Sequence, residues 1–172
     1  MYYCSQCGSK QLIKKVPEGD TRSRIVCEKC HSIHYQNPKI VTGCLPIWED
    51  KVLLCKRAIE PRSGFWTLPA GYMEKDESVK EGAIRETWEE AGANVKQLQL
   101  YLIVSSSQKS VSMIFLGQLC DLKFAPGIES LDVQLFTKEE IPWEEISFRF
   151  VREALTYYFE DRVKNQFPVR VD

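Results

Sequence analysis

Beyond a short linker at Asn37–Lys39, apolar residues come in dense runs that predict most of the elements. "IVTGCLPIW" and "KVLLCKRA" are β-rich and meet at Glu49-Asp50, the signature of a hairpin. "PRSGFWTLPAGY" is broken by Pro61, Gly64, Pro69 and Gly71 and reads as loop. Strands are expected again near "LQLYLIVSSS" and "SVSMIFLGQL". "FAPGIES" then forms a loop and "DVQLFT" a short strand. In "SFRFVREALTYYFEDRV", residues 147–163, Phe148, Val151, Leu155 and Tyr158 make an apolar stripe at helical spacing. Strands mixed with two helices imply an α+β domain or a sheet held between helices.

The other helix is bounded by its own chemistry. Ser78-Val79-Lys80-Glu81 is a capping-box pattern and Gly92 a natural C-terminal stop. At about 100° per residue, Val79, Ala83, Ile84, Thr87, Trp88 and Ala91 fall on one half of the wheel, the expected buried face. Glu86, Glu89 and Glu90 share a narrower arc, at i, i+3 and i, i+4 spacing, with Arg85 beside Glu89.

The N-terminal segment, residues 1–36, has a different logic. Cys4, Cys7, Cys27 and Cys30 form a C-x2-C-x19-C-x2-C pattern, in the spacing range of zinc sites. Two such knuckles close a tetrahedral site with no open position, so the metal is structural, and Zn²⁺ supplies folding energy to a segment too short for its own core. Gly8 stands where a knuckle needs positive φ. His31 and His34 follow the second knuckle and are read as surface or packing residues, since four thiolates suffice. Cys44, Cys55 and Cys120 sit singly in apolar runs and are expected to be buried and inert. The segment resembles a zinc ribbon. Its basic residues are offset by Glu18, Asp20 and Glu28, so nucleic-acid binding is not the favoured role.

Composition narrows the partners. The chain has 172 residues and a net charge of −1, which predicts no nucleic-acid or membrane partner from bulk electrostatics. An anionic ligand then needs local cations or metal. No apolar run approaches the roughly 20 residues of a bilayer span, and the N-terminus lacks a secretory h-region. A cytoplasmic protein is expected, with its seven cysteines reduced.

The carboxylates carry the candidate chemistry. A solvated acidic face accounts for exposed glutamates but not for their concentration at the helix C-terminus, the negative pole of the dipole. A hard divalent cation removes both the dipole penalty and the mutual repulsion. Mg²⁺ fits, because it takes a few carboxylates and shares its remaining positions with substrate phosphates.

Gly71-x5-Glu77-x7-Arg85-Glu86-Thr87-Trp88-Glu89-Glu90-Ala91-Gly92-Ala93 resembles the Nudix box, G-x5-E-x7-R-E-U-x-E-E-x-G-U, with small residues, Thr87 and Ala93, at the two aliphatic positions. The resemblance covers residues 39–172 and implies a Nudix α/β/α sandwich with a mixed sheet. It implies hydrolysis of a nucleoside diphosphate linked to another moiety. Glu86, Glu89 and Glu90 would coordinate Mg²⁺ or Mn²⁺ with the Ala70 carbonyl, Arg85 would orient them, and Glu77 would brace the turn through Arg85. The general base is a box glutamate or an acid from the later loop, where Glu129 is the candidate and Asp132 lies close by. Arg57 and Arg62 are candidates for phosphates, and Trp66, Tyr72 and Phe115 for stacking on a base or flavin ring, with core packing the plain alternative for each aromatic.

A ribbon preceding such a domain is similar to two groups, the NADH pyrophosphatases and an ADP-ribose/FAD group. The NADH group carries S-Q-P-W-P-F-P after the box. Here Ser107-Gln108 stand without W-P-F-P, which favours ADP-ribose or FAD, with NADH or NAD-capped RNA as the alternative. A homodimer is expected from the resemblance. The competing class is a non-catalytic nucleotide sensor or nucleic-acid binder, against which the three intact glutamates speak.

Overall fold

The computed structural model describes residues 1–106 and 110–172; the Ser107-Gln108 comparison lies outside the described residues. The chain divides into two units, Met1–Asn37 and Pro38–Asp172.

In the first unit, β1 (Leu12–Lys15), β2 (Arg24–Cys27) and β3 (Ile33–His34) form an antiparallel sheet in the order β1-β2-β3. The two cysteine pairs occupy turns of the same design. Gly8 N–H donates to Cys4 O and His31 N–H to Cys27 O, both at 2.9 Å. Gly8 has φ 70° and His31 φ 60°. His31 thus occupies the left-handed position that glycine holds in the first knuckle, which explains its place beside Cys30. The four Sγ atoms lie within 4.8 Å of one another.

The second unit is built on β4 (Lys39–Trp48), β5 (Lys51–Arg57), β6 (Trp66–Thr67), β7 (Ala70–Tyr72), α1 (Val79–Ala91), β8 (Val95–Ser106), β9 (Ser110–Leu119), β10 (Ser130–Phe136), α2 (Arg149–Lys164) and β11 (Arg170–Val171). The sheet runs β10-β5-β4-β9-β8-β11, with β6 on β5 and β7 on β4. It is mixed: β4 is parallel to β9 and β8 to β11, and the other pairs are antiparallel. The Glu49-Asp50 hairpin forms as expected, with Glu49 at φ 53°.

Alternation along the strands separates two cores. Leu45, Ile47, Val52, Leu54 and Tyr101 pack with Val151, Leu155 and Tyr158 of α2. Cys44, Leu53, Cys55, Val95 and Val133 pack with Ala91 of α1. Neighbours in a strand point to opposite faces, so α1 and α2 cover opposite sides of one sheet, an α/β/α sandwich.

Three strands differ from the expectation. β6 and β7 lie inside the stretch read as loop, and β11 in a stretch given no element. Each is two or three residues long and is defined by its partner strand rather than by periodicity. Cys44 and Cys55 are buried as expected, whereas Cys120, one residue past the end of β9, is exposed. Among the described residues no helix is long and apolar enough to cross a membrane.

Candidate active site

The site begins at the N-terminus of α1. Ser78 Oγ accepts from Glu81 N–H, and Glu81 Oε2 accepts from Ser78 N–H at 2.8 Å, closing the capping box. Thr42 Oγ1 donates to Val79 O, fixing the helix to β4. Gly92 ends it in the left-handed conformation. The last carbonyls are then met by a loop: Ala125 N–H donates to Ala91 O at 2.9 Å and Gly127 N–H to Glu90 O at 3.0 Å.

The helix presents a different face from the one its apolar residues predict. Ile84 and Trp88 are exposed, Trp88 to 60%. Glu86 and Glu90 are buried, at 8% and 7% exposure, with Ala83, Thr87 and Ala91. The reason is the cleft beside the helix. Its lining draws on Glu86, Glu89 and Glu90 of α1, Ala70–Tyr72, Glu129, and Phe148–Phe150 at the start of α2, and encloses about 1560 Å³. The apolar half of the wheel is shared between core and solvent because the acids take the inward arc.

Arg85 organises this arc. Its Nε and Nη2 donate to the two Glu77 carboxylate oxygens at 3.0 and 2.8 Å. Its Nη1 donates to Glu86 at 2.8 Å and Glu89 at 2.9 Å, and Nη2 also to Tyr72 O at 3.2 Å. Glu77 in turn accepts from Glu74 N–H at 2.7 Å, so it ties the loop to the helix. Hydrogen bonds from Arg85 hold the Glu77 carboxyl down at about 2. The same bonds push the guanidinium further up, so it is charged at any working pH.

The buried acids move the other way. Burial, opposed by Arg85, raises Glu86. Glu90 is pushed up to about 8, first by burial and then by the Glu86 charge. Arg57 and a backbone hydrogen bond from Ala70 pull it part of the way back. Desolvation disfavours the charged form of a carboxyl, and a neighbouring like charge adds to that. Gly71 lets the backbone approach Glu86 closely, since a Cβ at that position would come within 2.5 Å of Glu86 Cδ and displace the carboxylate.

Among the described residues, the cysteine set is the one whose donor atoms converge within 4.8 Å. The three glutamates are more widely spread, Glu86 and Glu89 being drawn to Arg85 Nη1 while Glu90 meets the Ala70 backbone.

The other sequence candidates separate. Arg57 lines the cleft; its Nε donates to Pro61 O at 2.9 Å and its guanidinium lies 5.2 Å from the Phe148 ring centroid. Tyr72 lines the cleft beneath Lys39 Nζ. Arg62 lies over Phe65, outside the cleft lining. Trp66 and Phe115 are core residues, 5% and 1% exposed, and Trp66 packs edge-on against Phe136. As strand residues with large apolar side chains they take the inner faces of the sheet. Glu129 is exposed at the cleft, while Asp132 belongs to β10 and bonds Val133 N–H and Gln134. Phe150 carries no signal of its own in the sequence, and Phe148 falls in the apolar stripe expected of the helix. Phe148 is the extended N-cap residue of α2, at φ −130° and ψ 152°, and both rings line the cleft. Their two-residue spacing ahead of the helical stripe was the available signal.

Comparison with known proteins agrees with this geometry. The NUDIX domain model matches residues 37–154. The chain belongs to the Nudix family. A Nudix N-terminal zinc-ribbon model matches residues 2–36. A crystal structure of a NUDIX hydrolase from Nitrosomonas europaea superposes with a TM-score of 0.94 at 52% identity, covering 99% of this chain and 97% of that one. Among curated Nudix relatives, the NAD-capped RNA hydrolase NudC of Vibrio parahaemolyticus is 27% identical over 81% of this chain and 52% of its own length. The ADP-ribose pyrophosphatase of Methanocaldococcus jannaschii is 26% identical over 63% of this chain and 67% of its own length. The chain spans about half the length of the NudC relatives it matches.

Proposed function

We propose that this Nudix protein hydrolyses the pyrophosphate bond of a nucleoside diphosphate linked to another moiety, with ADP-ribose or FAD as substrate and AMP as product. The observation that carries this reading is the joining of Glu77, Glu86 and Glu89 through one arginine, with Glu90 buried beside them, in a cleft of about 1560 Å³. Pockets for ordinary small ligands are roughly 300–1,000 Å³, so this cleft has room for a dinucleotide-sized molecule.

The residues fit a divalent cation. Their donors are all oxygen, and two carboxylates buried side by side form an arrangement that a double positive charge relieves. Glu86, Glu89 and Glu90 would hold Mg²⁺ or Mn²⁺, joined by the Ala70 carbonyl. Such a cation, when bound, supplies charge against the phosphate oxygens and acidifies water. Arg85 sets the carboxylate orientations and Arg57 meets a phosphate. Glu129 Oε takes the proton of the water that attacks phosphorus. In the first unit the four thiolates hold one Zn²⁺, which suits a reducing compartment such as the cytoplasm.

The relatives named as NAD-capped RNA hydrolases favour a second substrate of the same class, NAD-capped RNA, and NADH is the further alternative. Release of AMP from ADP-ribose, FAD and NADH, and of NMN from NAD-capped RNA, with and without Mg²⁺, separates the readings. Equal turnover by Glu89→Gln would count against the site assignment. Binding without turnover of any of the four would favour a sensor.

A further inference from the structure

The cleft holds a column of planar groups that the carboxylate chemistry does not use. Phe148 and Phe150 lie with their rings 7° from parallel and their centroids 5.8 Å apart. The Arg57 guanidinium stands 5.2 Å from the Phe148 centroid. All three line the same cleft as the glutamates. Arg57 is also near enough to Glu90 to pull its proton affinity down, so its end of the column faces the carboxylates.

The fold holds this column in place. Ile146 bridges to Trp66, and Ser147 N–H donates to Trp66 O at 2.9 Å. That short extended segment sets Phe148 before α2 begins, and the first turn of the helix sets Phe150. Both rings pack partly on the α2 core and keep part of their surface toward the cleft. At the other end, the Pro61 carbonyl holds Arg57 Nε. A rigid, partly exposed aromatic surface next to a cation suits a flat ring linked through a sugar to a phosphate. Stacking supplies affinity whatever the hydrogen-bonding edges of the ring, and the guanidinium meets the anion.

We propose that Phe148 and Phe150, headed by Arg57, form the platform for the substrate's aromatic base, and thereby select nucleotides, in which a planar base is linked through a sugar to phosphate, over base-free sugar phosphates. This rests on the pyrophosphatase reading above but is tested without turnover. The probes are AMP and ribose 5-phosphate, which differ by the base alone, titrated calorimetrically into the full chain with Mg²⁺ present.

Wild type is expected to bind AMP roughly 5- to 150-fold more tightly than ribose 5-phosphate, the range of one base–aromatic stack. The Phe148→Leu/Phe150→Leu double variant keeps apolar bulk and removes the rings; it is expected to lose that preference while binding ribose 5-phosphate as wild type does. Phe148→Tyr keeps a ring and is expected to keep the preference. No preference in wild type, a preference that survives the double variant, or an equal loss for both probes would each overturn the proposal. If AMP release from ADP-ribose fails while the AMP preference holds, the hydrolase reading falls and the platform stands.

Discussion

Arg85 and Glu77 face each other through two hydrogen bonds, at 2.8 and 3.0 Å, eight residues apart in sequence. The same guanidinium carries Glu86 and Glu89. Arg85→Lys retains the charge but not the planar fork, and no ammonium reproduces this set of contacts. Mispositioning of reacting groups by about 1 Å can lower rates about 10²-fold. A loss of that order in kcat is expected for Arg85→Lys, measured as Mg²⁺-dependent AMP release. Near-wild-type kcat would remove Arg85 from the positioning role.

Glu90 gives the protein without added divalent cation a definite pH response. Its carboxyl is raised from 4.5 to about 8, mainly by burial. A raised carboxyl favours folding in its protonated form, so this contribution is full below the unfolded value near 4.5 and is lost as pH rises through about 8. Glu86 moves in the same direction. The melting temperature is expected to fall between pH 5 and 9 without added Mg²⁺. Glu90→Gln should flatten the fall, and Mg²⁺ should raise the melting temperature most at the alkaline end. A melting temperature rising across that range would contradict the burial argument.

Two glycines should fail in different ways. A Cβ on Gly71 meets the Glu86 carboxylate, the movable end of a side chain. Gly71→Ala is therefore expected to lower turnover with little change in melting. A Cβ on Gly127 meets the backbone carbonyl of Glu89, which cannot give way. Gly127→Ala should destabilise by about 1–3 kcal/mol, the usual cost of overpacking, read from urea titration. Equal effects on stability would show that Glu86 is as immobile as the backbone.

The cysteine cluster makes a prediction for the first unit alone. Elemental analysis should find one zinc per chain, and Cys7→Ser should lose it. Amide exchange should then accelerate across residues 1–37, whose sheet has few buried apolar residues of its own. Slow exchange in the metal-free variant would show that the segment folds without metal.

The ends of α1 were legible in the sequence because capping is local chemistry: Ser78, Glu81 and Gly92 act within a few residues of themselves. Its buried face was not, since an apolar-stripe argument assumes that the inward side meets a core. Here that side also borders a cleft, and Glu86 and Glu90 are buried while Ile84 and Trp88 meet solvent. The aromatics show the same limit. Nothing in the composition near Trp66 or Phe115 tells which strand face each takes, and that choice separated core from cleft. β11 depends wholly on Leu102 and Ile103, distant residues with which it pairs. The acids carried by α1 were the most legible part, because helical spacing brings Glu86, Glu89 and Glu90 together with Arg85 beside Glu89; Glu77 lies before the helix, and its link to Arg85 came only from the resemblance.

The bonds from Ala125 and Gly127 to the last carbonyls of α1 do more than close a helix end. They weld the loop that carries Glu129 to the helix that carries Glu89 and Glu90. A residue inserted at the loop's tip would shift the register of that weld. The separation between the backbone at Glu129 on the loop and that of the acids on the helix is therefore a main-chain dimension, set when the domain folds rather than when a ligand arrives.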